Sequence, residues 1–154
     1  MLRTPEAWPR ALRTALVAGL LCGCAAFQPS LYEQLGGRDE IAGLVDVYVG
    51  LLREDARLKA DFLEANIPRL KLLMTEQLCA ATGGPCTYTG APMRPAHSRL
   101  RITEVQFDAA LEDLGTAMQS RQVPIAARER LLAIVSSLRP EIVSVPPPSS
   151  LGGT

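Results

Sequence analysis

The stretch Asp39–Arg53, DEIAGLVDVYVGLLR, decides the fold class of this chain. Its large apolar residues follow one another at intervals of three, one, three, three and one, which places them on one face of an α-helix. They are Ile41, Leu44, Val45, Tyr48, Leu51 and Leu52. A buried phenol needs a hydrogen-bond partner, so Tyr48 is either anchored to a backbone carbonyl or donates into a cavity.

Three further stretches repeat this helical spacing. The first begins near Asn66 and Pro68, a helix cap and a first-turn proline, and runs to about Thr82. The second opens on the capping box Thr103–Gln106, and the third runs from Val123-Pro124 to Ile142. Their apolar faces are Leu70, Leu73, Met74, Leu78 and Ala81, interrupted by Gln77; Phe107, Ala110, Leu111, Leu114, Ala117 and Met118; and Ile125, Leu131, Leu132, Ile134, Val135, Leu138 and Ile142.

The connecting segments are short. A capping box at Ser30–Glu33 starts a helix that Gly36-Gly37 ends, and 54–65 is predicted to be irregular or a single turn. Pro85–Ala91 is a loop leading to one helical turn around His97, and residues 144–154 are predicted to be a disordered, proline-rich tail. Since 47% of residues are apolar and only seven are aromatic, we expect one all-α domain over residues 30–143.

His97 is the only histidine in the 154 residues. A single imidazole does not build a zinc site, and no neighbouring residues complete a catalytic triad. A lone histidine does suffice to hold haem iron, leaving the other face of the iron open to a gas. The alternative is an ordinary hydrogen-bonded histidine.

The N-terminus is typical of an exported protein. Arg3, Arg10 and Arg13 precede a short apolar run, so residues 1–23 are predicted to be a signal peptide. Leu21-Cys22-Gly23-Cys24 resembles a bacterial lipobox, in which Cys24 becomes diacylated and residues 24–29 a tether. We therefore expect a lipoprotein facing the periplasm, with the outer membrane favoured. Conventional cleavage after Ala25-Ala26 would instead give a soluble periplasmic protein.

Two further cysteines lie either side of a turn. Cys79 and Cys86 are seven residues apart across Thr82-Gly83-Gly84-Pro85, where a helix must end and the chain reverse. In an oxidising periplasm we expect them to be bonded. If the chain is not exported, two free buried thiols are expected instead.

Four amphipathic helices with Tyr48 and Gln77 on inward faces favour a bundle with an internal ligand slot over a fully packed one. The residues also resemble a known family, the group I truncated haemoglobins. The resemblance rests on Ser30-Leu31-Tyr32, Gly36-Gly37, Val47-Tyr48, Phe62, Arg69-Leu70-Lys71, Gly83-Gly84-Pro85, Tyr88-Thr89-Gly90, Met93, Ala96-His97, Leu100 and Ile102-Thr103. It implies a two-over-two α-helical sandwich that binds haem b.

The resemblance also assigns roles to residues. His97 would be the proximal iron ligand, Phe62 would stack on the haem, and Tyr48 would be the distal phenol that hydrogen-bonds the gas ligand. Leu70, Leu73 and Met74 would line the distal side, while Met93, Ile102, Phe107 and Val135 would wrap the remaining haem edge. The two glycine pairs would permit turns with positive φ.

This chain departs from the family at two distal positions. Family members often carry Gln at the position of Met74 and Lys or Arg at that of Leu73, and the apolar residues here remove two polar groups. Tyr48 would then act almost alone, unless Gln77 swings inward; the alternative for Gln77 is the solvated edge of its helix. Met74 is either packing or a sulfur ligand to iron. A bis-histidine state is excluded, since no second histidine exists.

The functional expectation is reversible binding of O2, and of NO or CO, at the haem. NO dioxygenation is a second possibility, and it would need an external electron donor because the sequence holds no flavin or nicotinamide motif. A gas or redox sensor and a haemless interaction lipoprotein are the alternatives from other classes. Without residues 1–23, 13 basic and 15 acidic residues remain, so no nucleic-acid partner is expected.

Overall fold

A computed structural model describes residues 29–144. It contains seven α-helices and one 3₁₀ helix within that range and no strand. The α-helices are α1 (Leu31–Gln34), α2 (Gly37–Glu54), α3 (Ile67–Ala81), α4 (Met93–His97), α5 (Glu104–Ser120), α6 (Ile125–Ser136) and α7 (Arg139–Ile142), and the 3₁₀ helix is Lys59–Phe62. The all-α class expected from the sequence is confirmed. The predicted signal peptide, Cys24, the tether as far as residue 28 and the tail beyond residue 144 lie outside the described residues.

Local caps set the helix starts where the sequence indicated them. Ser30 Oγ accepts from the Glu33 backbone N–H at 3.2 Å, and the Glu33 carboxylate accepts from the Ser30 N–H at 2.7 Å. Thr103 and Gln106 form the same reciprocal pair at the start of α5. Gly36 and Gly37 have φ values of 87° and 82°, a conformation that glycine adopts without steric cost. This turn lets α2 begin immediately after α1, two residues before the predicted start.

Helix α2 is the centre of the packing. It contacts α3 on one side and α5 on the other, and α5 in turn packs against α6. The two pairs, α2 with α3 and α5 with α6, form the two-over-two helical sandwich. The completely buried side chains at their junction are Ile41, Val45, Val49, Cys79, Leu114, Met118 and Leu131. The apolar stripe that identified α2 is thus the surface on which the other helices assemble.

The predicted disulfide between Cys79 and Cys86 is present, with Cα atoms 5.7 Å apart. It ties the end of α3 to the loop that leads to α4. Gly84 lies against this disulfide. We expected glycine here because a turn would need a positive φ, but the φ of Gly84 is not in the left-handed region. A Cβ on Gly84 would lie 2.4 Å from the ring of Tyr32 and 2.7 Å from the Cys79 sulfur. Only a glycine fits this close approach.

Two expectations for the last helix are wrong. The predicted helix to Ile142 breaks after Ser136, because Pro140 has no N–H and its ring collides with the carbonyl four residues earlier. Ile125, expected on the buried face, is 66% exposed in the first position of α6. Leu138 and Ile142, beyond the break, still face the interior that the stripe predicted. In residues 29–144, no helix is long and apolar enough to span a bilayer.

Candidate functional site

A cavity of about 330 Å³ lies between the two helical pairs and α4. Its size and apolar lining are those of a small-molecule site. Every side chain that the sequence predicted to contact haem or its gas ligand lines this cavity. They are Tyr48, Phe62, Leu70, Leu73, Met74, Gln77, Met93, His97, Ile102, Phe107 and Val135. The structure thus brings residues from α2, the 3₁₀ helix, α3, α4, α5 and α6 to one place.

His97 is held at one nitrogen. It is half-buried at the end of α4, and its Nδ1 lies 2.8 Å from the backbone carbonyl oxygen of Met93. A carbonyl only accepts, so Nδ1 carries the hydrogen and donates it. In the neutral ring the free lone pair is then on Nε2, the tautomer a metal ligand needs. The bond also fixes the plane of the imidazole relative to its own helix.

Tyr48 supplies a buried donor. Its side chain is 7% exposed and lines the cavity, and its hydroxyl makes no hydrogen bond to residues 29–144. Of the two alternatives raised by the sequence, a donor facing the cavity therefore holds over an anchor to a carbonyl. Burial, and secondarily the charge of Asp113, raises the pKa of the phenol far above its ordinary value. The group is consequently a neutral O–H at physiological pH.

The wall that α3 contributes is apolar. Leu70, Leu73 and Met74 are half-buried there and carry no donor or acceptor except the thioether. Gln77, one turn further on, donates its Nε2 hydrogen to the sulfur of Met93 at 3.2 Å. A role for Gln77 beside Tyr48 stays a prediction.

Sequence reasoning missed a polar pair in the cavity wall. Gln106 donates its Nε2 hydrogen to Asp61 at 2.8 Å, while its Oε1 accepts from the backbone N–H and hydroxyl of Thr103. Because Asp61 precedes Phe62, this contact fixes the 3₁₀ helix, and with it the Phe62 ring, against the start of α5. Gln106 was recognised only as half of a capping box, and no local pattern indicated a partner 45 residues away.

The cavity opens to solvent near α4. Leu100 lines the cavity and is 47% exposed, so the pocket reaches solvent there. Arg99 and Arg101 precede and follow Leu100 in the sequence, and neither forms an ion pair with any residue between 29 and 144. Arg101 also has a φ of 53°, uncommon for a residue with a side chain. Unpaired arginines next to a cavity-lining residue would suit a flat apolar ligand with terminal carboxylates.

Helix α7 packs against α4 and covers part of the cavity. The Arg139 guanidinium lies 4.4 Å from the centre of the Phe107 ring and pairs with Glu104 and Asp108 of α5. The Ser144 N–H donates to the carbonyl of Ile102 at 3.0 Å. These contacts hold the segment after the helix break over the cavity.

The donor set fits haem. It comprises one imidazole with its second nitrogen already engaged, one unpartnered phenol and an apolar lining. A bare metal ion does not suit it, since no three His, Cys, Asp or Glu side chains gather within the described part of the chain. A porphyrin supplies four of the iron ligands itself, so one histidine is enough.

Comparison with known sequences agrees with this assignment of a haem site. Residues 30–144 match the family described as bacterial-like globin. A group 1 truncated hemoglobin of Mycolicibacterium paratuberculosis is 32% identical over 115 residues, which cover 75% of this chain and 85% of that protein. One from Synechocystis is 31% identical over 113 residues, covering 71% and 88% respectively.

Solved structures share the fold. A truncated hemoglobin of Tetrahymena pyriformis in the Fe(III) form superposes with a TM-score of 0.73 and 24% identity, over 75% of this chain and 99% of that one. The 2/2 hemoglobin of a Synechococcus species, solved in the cyanomet state with covalently attached heme, gives 0.69 and 29% identity over 73% and 95%. Together with the family match over residues 30–144, these relatives show that the chain belongs to the truncated hemoglobins and is a haem-binding globin for small gas ligands.

Proposed function

We propose that this protein reversibly binds O2, and NO or CO at the same place, on haem b whose iron is held by His97. The observation that carries the proposal is the pairing of two groups on one apolar cavity. His97 has its Nδ1 committed to Met93, and the neutral Tyr48 hydroxyl has no partner among the described residues. When bound, the haem would supply an iron atom that can take a diatomic gas, with His97 holding the iron.

The residues around the cavity have separate roles in this function. His97 contributes its Nε2 lone pair, and the Met93 carbonyl orients the ring. Tyr48 donates its hydroxyl hydrogen to a polar gas ligand, a bond worth roughly 1.5–3 kcal/mol when the acceptor carries charge. The apolar wall of α3 excludes water, which favours a neutral ligand over competing solvent.

The remaining contacts hold the ring in place. Phe62 would stack on it, and Met93, Ile102, Phe107 and Val135 would pack around its edge. Arg99 and Arg101, which adjoin the cavity-lining Leu100 in the sequence, would pair with its carboxylates, in place of the cation that Leu73 does not supply. A double Arg99→Ala, Arg101→Ala variant should therefore release haem faster to an acceptor protein, and an unchanged release rate would contradict the pairing.

Reconstitution with haemin tests the iron ligand. The purified domain should show a Soret band that is lost or strongly shifted in His97→Ala and regained with added imidazole, which refills the vacated position. Tyr48→Phe is the matched control, because it alters the same cavity without removing an iron ligand and should keep the band. An unchanged Soret band in His97→Ala would overturn the ligand assignment.

Storage of O2 and oxidation of NO differ in what they consume. NO dioxygenation takes one O2 and one NO to nitrate and leaves the iron ferric, so each turnover needs one electron from an external donor. Rapid mixing of the oxygenated protein with NO distinguishes the two roles. Fast, stoichiometric formation of nitrate and ferric protein favours detoxification, and slow conversion favours storage.

The proposal includes export and a lipid anchor on Cys24. The Cys79–Cys86 bond supports an oxidising compartment, since cytosolic thiols are normally kept reduced. Expression of the full chain in a bacterial host, followed by membrane fractionation, tests the anchor. Cys24→Ser should move the protein to the soluble fraction, and a mutant that still sediments with membranes would refute acylation at this residue.

A further inference from the structure

We infer that Gln77 is a positioning residue for the proximal histidine, not a distal donor to the gas ligand. The inference rests on the proposed function, because it takes His97 as the iron ligand. It assigns the Gln77 side chain to the opposite side of the site from the one that the sequence suggested.

Two contacts meet at Met93. Gln77 Nε2 donates to the Met93 sulfur at 3.2 Å, and the Met93 backbone oxygen accepts from His97 Nδ1 at 2.8 Å. Met93 is buried, with 9% of its surface exposed. Both contacts are therefore made inside the protein and not by a freely rotating surface side chain. A continuous path therefore runs from the α3 amide through one methionine to the imidazole.

Helix α4 packs against α7, and the hydrogen bond from Gln77 to Met93 adds a contact from α3. Helix α4 has five residues, no side-chain cap at Pro92 and a second proline, Pro95, inside it. A helix of this length is not stable alone, so its orientation depends on packing against other elements. Any movement of α4 would therefore change the angle of the His97 imidazole relative to the haem iron.

Helix α3 is a suitable reference for α4. It has fifteen residues, an Asn66 side-chain cap at its start and the Cys79–Cys86 bond at its end. Gln77 lies one half-turn before Cys79, in the most constrained part of that helix. The Gln77 amide thus links the short helix α4 to the more rigid helix α3.

The bond engages one of the two N–H donors of the Gln77 amide and turns the amide toward Met93. Thioether sulfur is a weak acceptor, so the contact alone is modest, but it directs the amide toward α4. Tyr48 meanwhile has its hydroxyl free for the ligand. The Tyr48 phenol therefore acts on the gas ligand, and the Gln77 amide acts on His97 through Met93.

Three variants of the haem-loaded domain test this: Gln77→Leu, Met93→Leu and the double variant. Resonance Raman spectra of the ferrous, ligand-free protein report the iron–histidine stretching band, which responds to imidazole orientation. We expect each single variant to shift or broaden that band and to speed haem loss to an acceptor apoprotein by about 2- to 10-fold, the range of one neutral hydrogen bond. The double variant should add nothing further, because both changes break the same contact.

Gln119→Leu, at an exposed position near the end of α5, is the control for replacing an amide by leucine, and it should leave the band and haem loss unchanged. The inference is overturned if Gln77→Leu leaves the iron–histidine band unchanged, or if it speeds O2 dissociation as much as Tyr48→Phe does. Strictly additive effects of the two substitutions would also refute a route through the sulfur. Failure of the proposed function is separate, since it would appear as an unchanged Soret band in His97→Ala.

Discussion

Replacing Tyr48 by phenylalanine isolates one hydroxyl in the gas site. The ring that packs among the α2 stripe is retained, and the hydroxyl removed has no partner between residues 29 and 144. No intramolecular hydrogen bond is lost, so the free energy of unfolding of the haem-free protein should change by less than about 0.5 kcal/mol. Any large effect on ligand kinetics is then attributable to the ligand itself.

The expected kinetic effect follows from the strength of one bond. Hydrogen bonds to a charged acceptor contribute roughly 1.5–3 kcal/mol, and each 1.4 kcal/mol is a factor of about 10. Oxygen dissociation from Tyr48→Phe should therefore be about 10- to 150-fold faster, because the apolar wall offers no replacement donor. Carbon monoxide carries little charge on its oxygen, and its dissociation should change by no more than about 2-fold, the effect of the weakest hydrogen bonds.

The pH dependence provides a second check. Burial, then the negative charge of Asp113, raises the pKa of the Tyr48 phenol, so the O–H remains protonated well past pH 9. Oxygen dissociation from the wild-type protein should accordingly stay flat between about pH 6 and pH 9. Stopped-flow displacement of O2 by excess CO measures both quantities. A change below 3-fold in Tyr48→Phe, or a steep rise of the wild-type rate across that pH range, would refute the assignment of Tyr48 as the donor.

Three predictions concern stability. Reduction of the Cys79–Cys86 bond should lower the free energy of unfolding by about 2.5 kcal/mol, seen as a lower urea midpoint than that of the oxidised protein. Gly84→Ala should cost roughly 1–3 kcal/mol through its clash with the Tyr32 ring, whereas Gly115→Ala in α5, where a Cβ meets open space, should stabilise by about 0.5–1 kcal/mol; equal midpoints would contradict both. Asp113→Asn should raise Tm at pH 7 but not at pH 3. Burial raises the pKa of this carboxyl and one of its oxygens has no partner, so its cost appears as pH rises and it ionises; a uniform gain at both pH values would argue against this origin.

The helices were predictable because their signals are local. Apolar spacing and caps identified α2, α3 and α5, and the glycine pair identified the turn between α1 and α2. The break between α6 and α7 was missed because the apolar stripe continues through it to Ile142, and the periodicity outweighed the effect of Pro140. The prediction for Ile125 failed for a related reason. An apolar stripe shows which face of a helix is buried, but it does not show how far the neighbouring helix extends along that face.

The candidate site depended on more than pattern. His97 stood out as a lone histidine, but the cavity residues were grouped by resemblance to a family, and the structure confirms only that they share one cavity. The orientation of Gln77 toward Met93 and the contact of Gln106 with Asp61 join residues far apart in the chain. Such pairings follow from tertiary packing, so single-sequence reasoning had no means to find them.

The Gln106 side chain restricts what substitutions this globin tolerates. Capping boxes elsewhere accept glutamate or glutamine equally, because only an oxygen facing the N-cap is needed. Here the same group must accept from Thr103 and donate to Asp61 at once, and only a carboxamide does both. A glutamate would keep the cap and set two carboxylates against each other at the wall of the ligand cavity. A choice that is normally neutral at a helix start has become a requirement of the binding pocket.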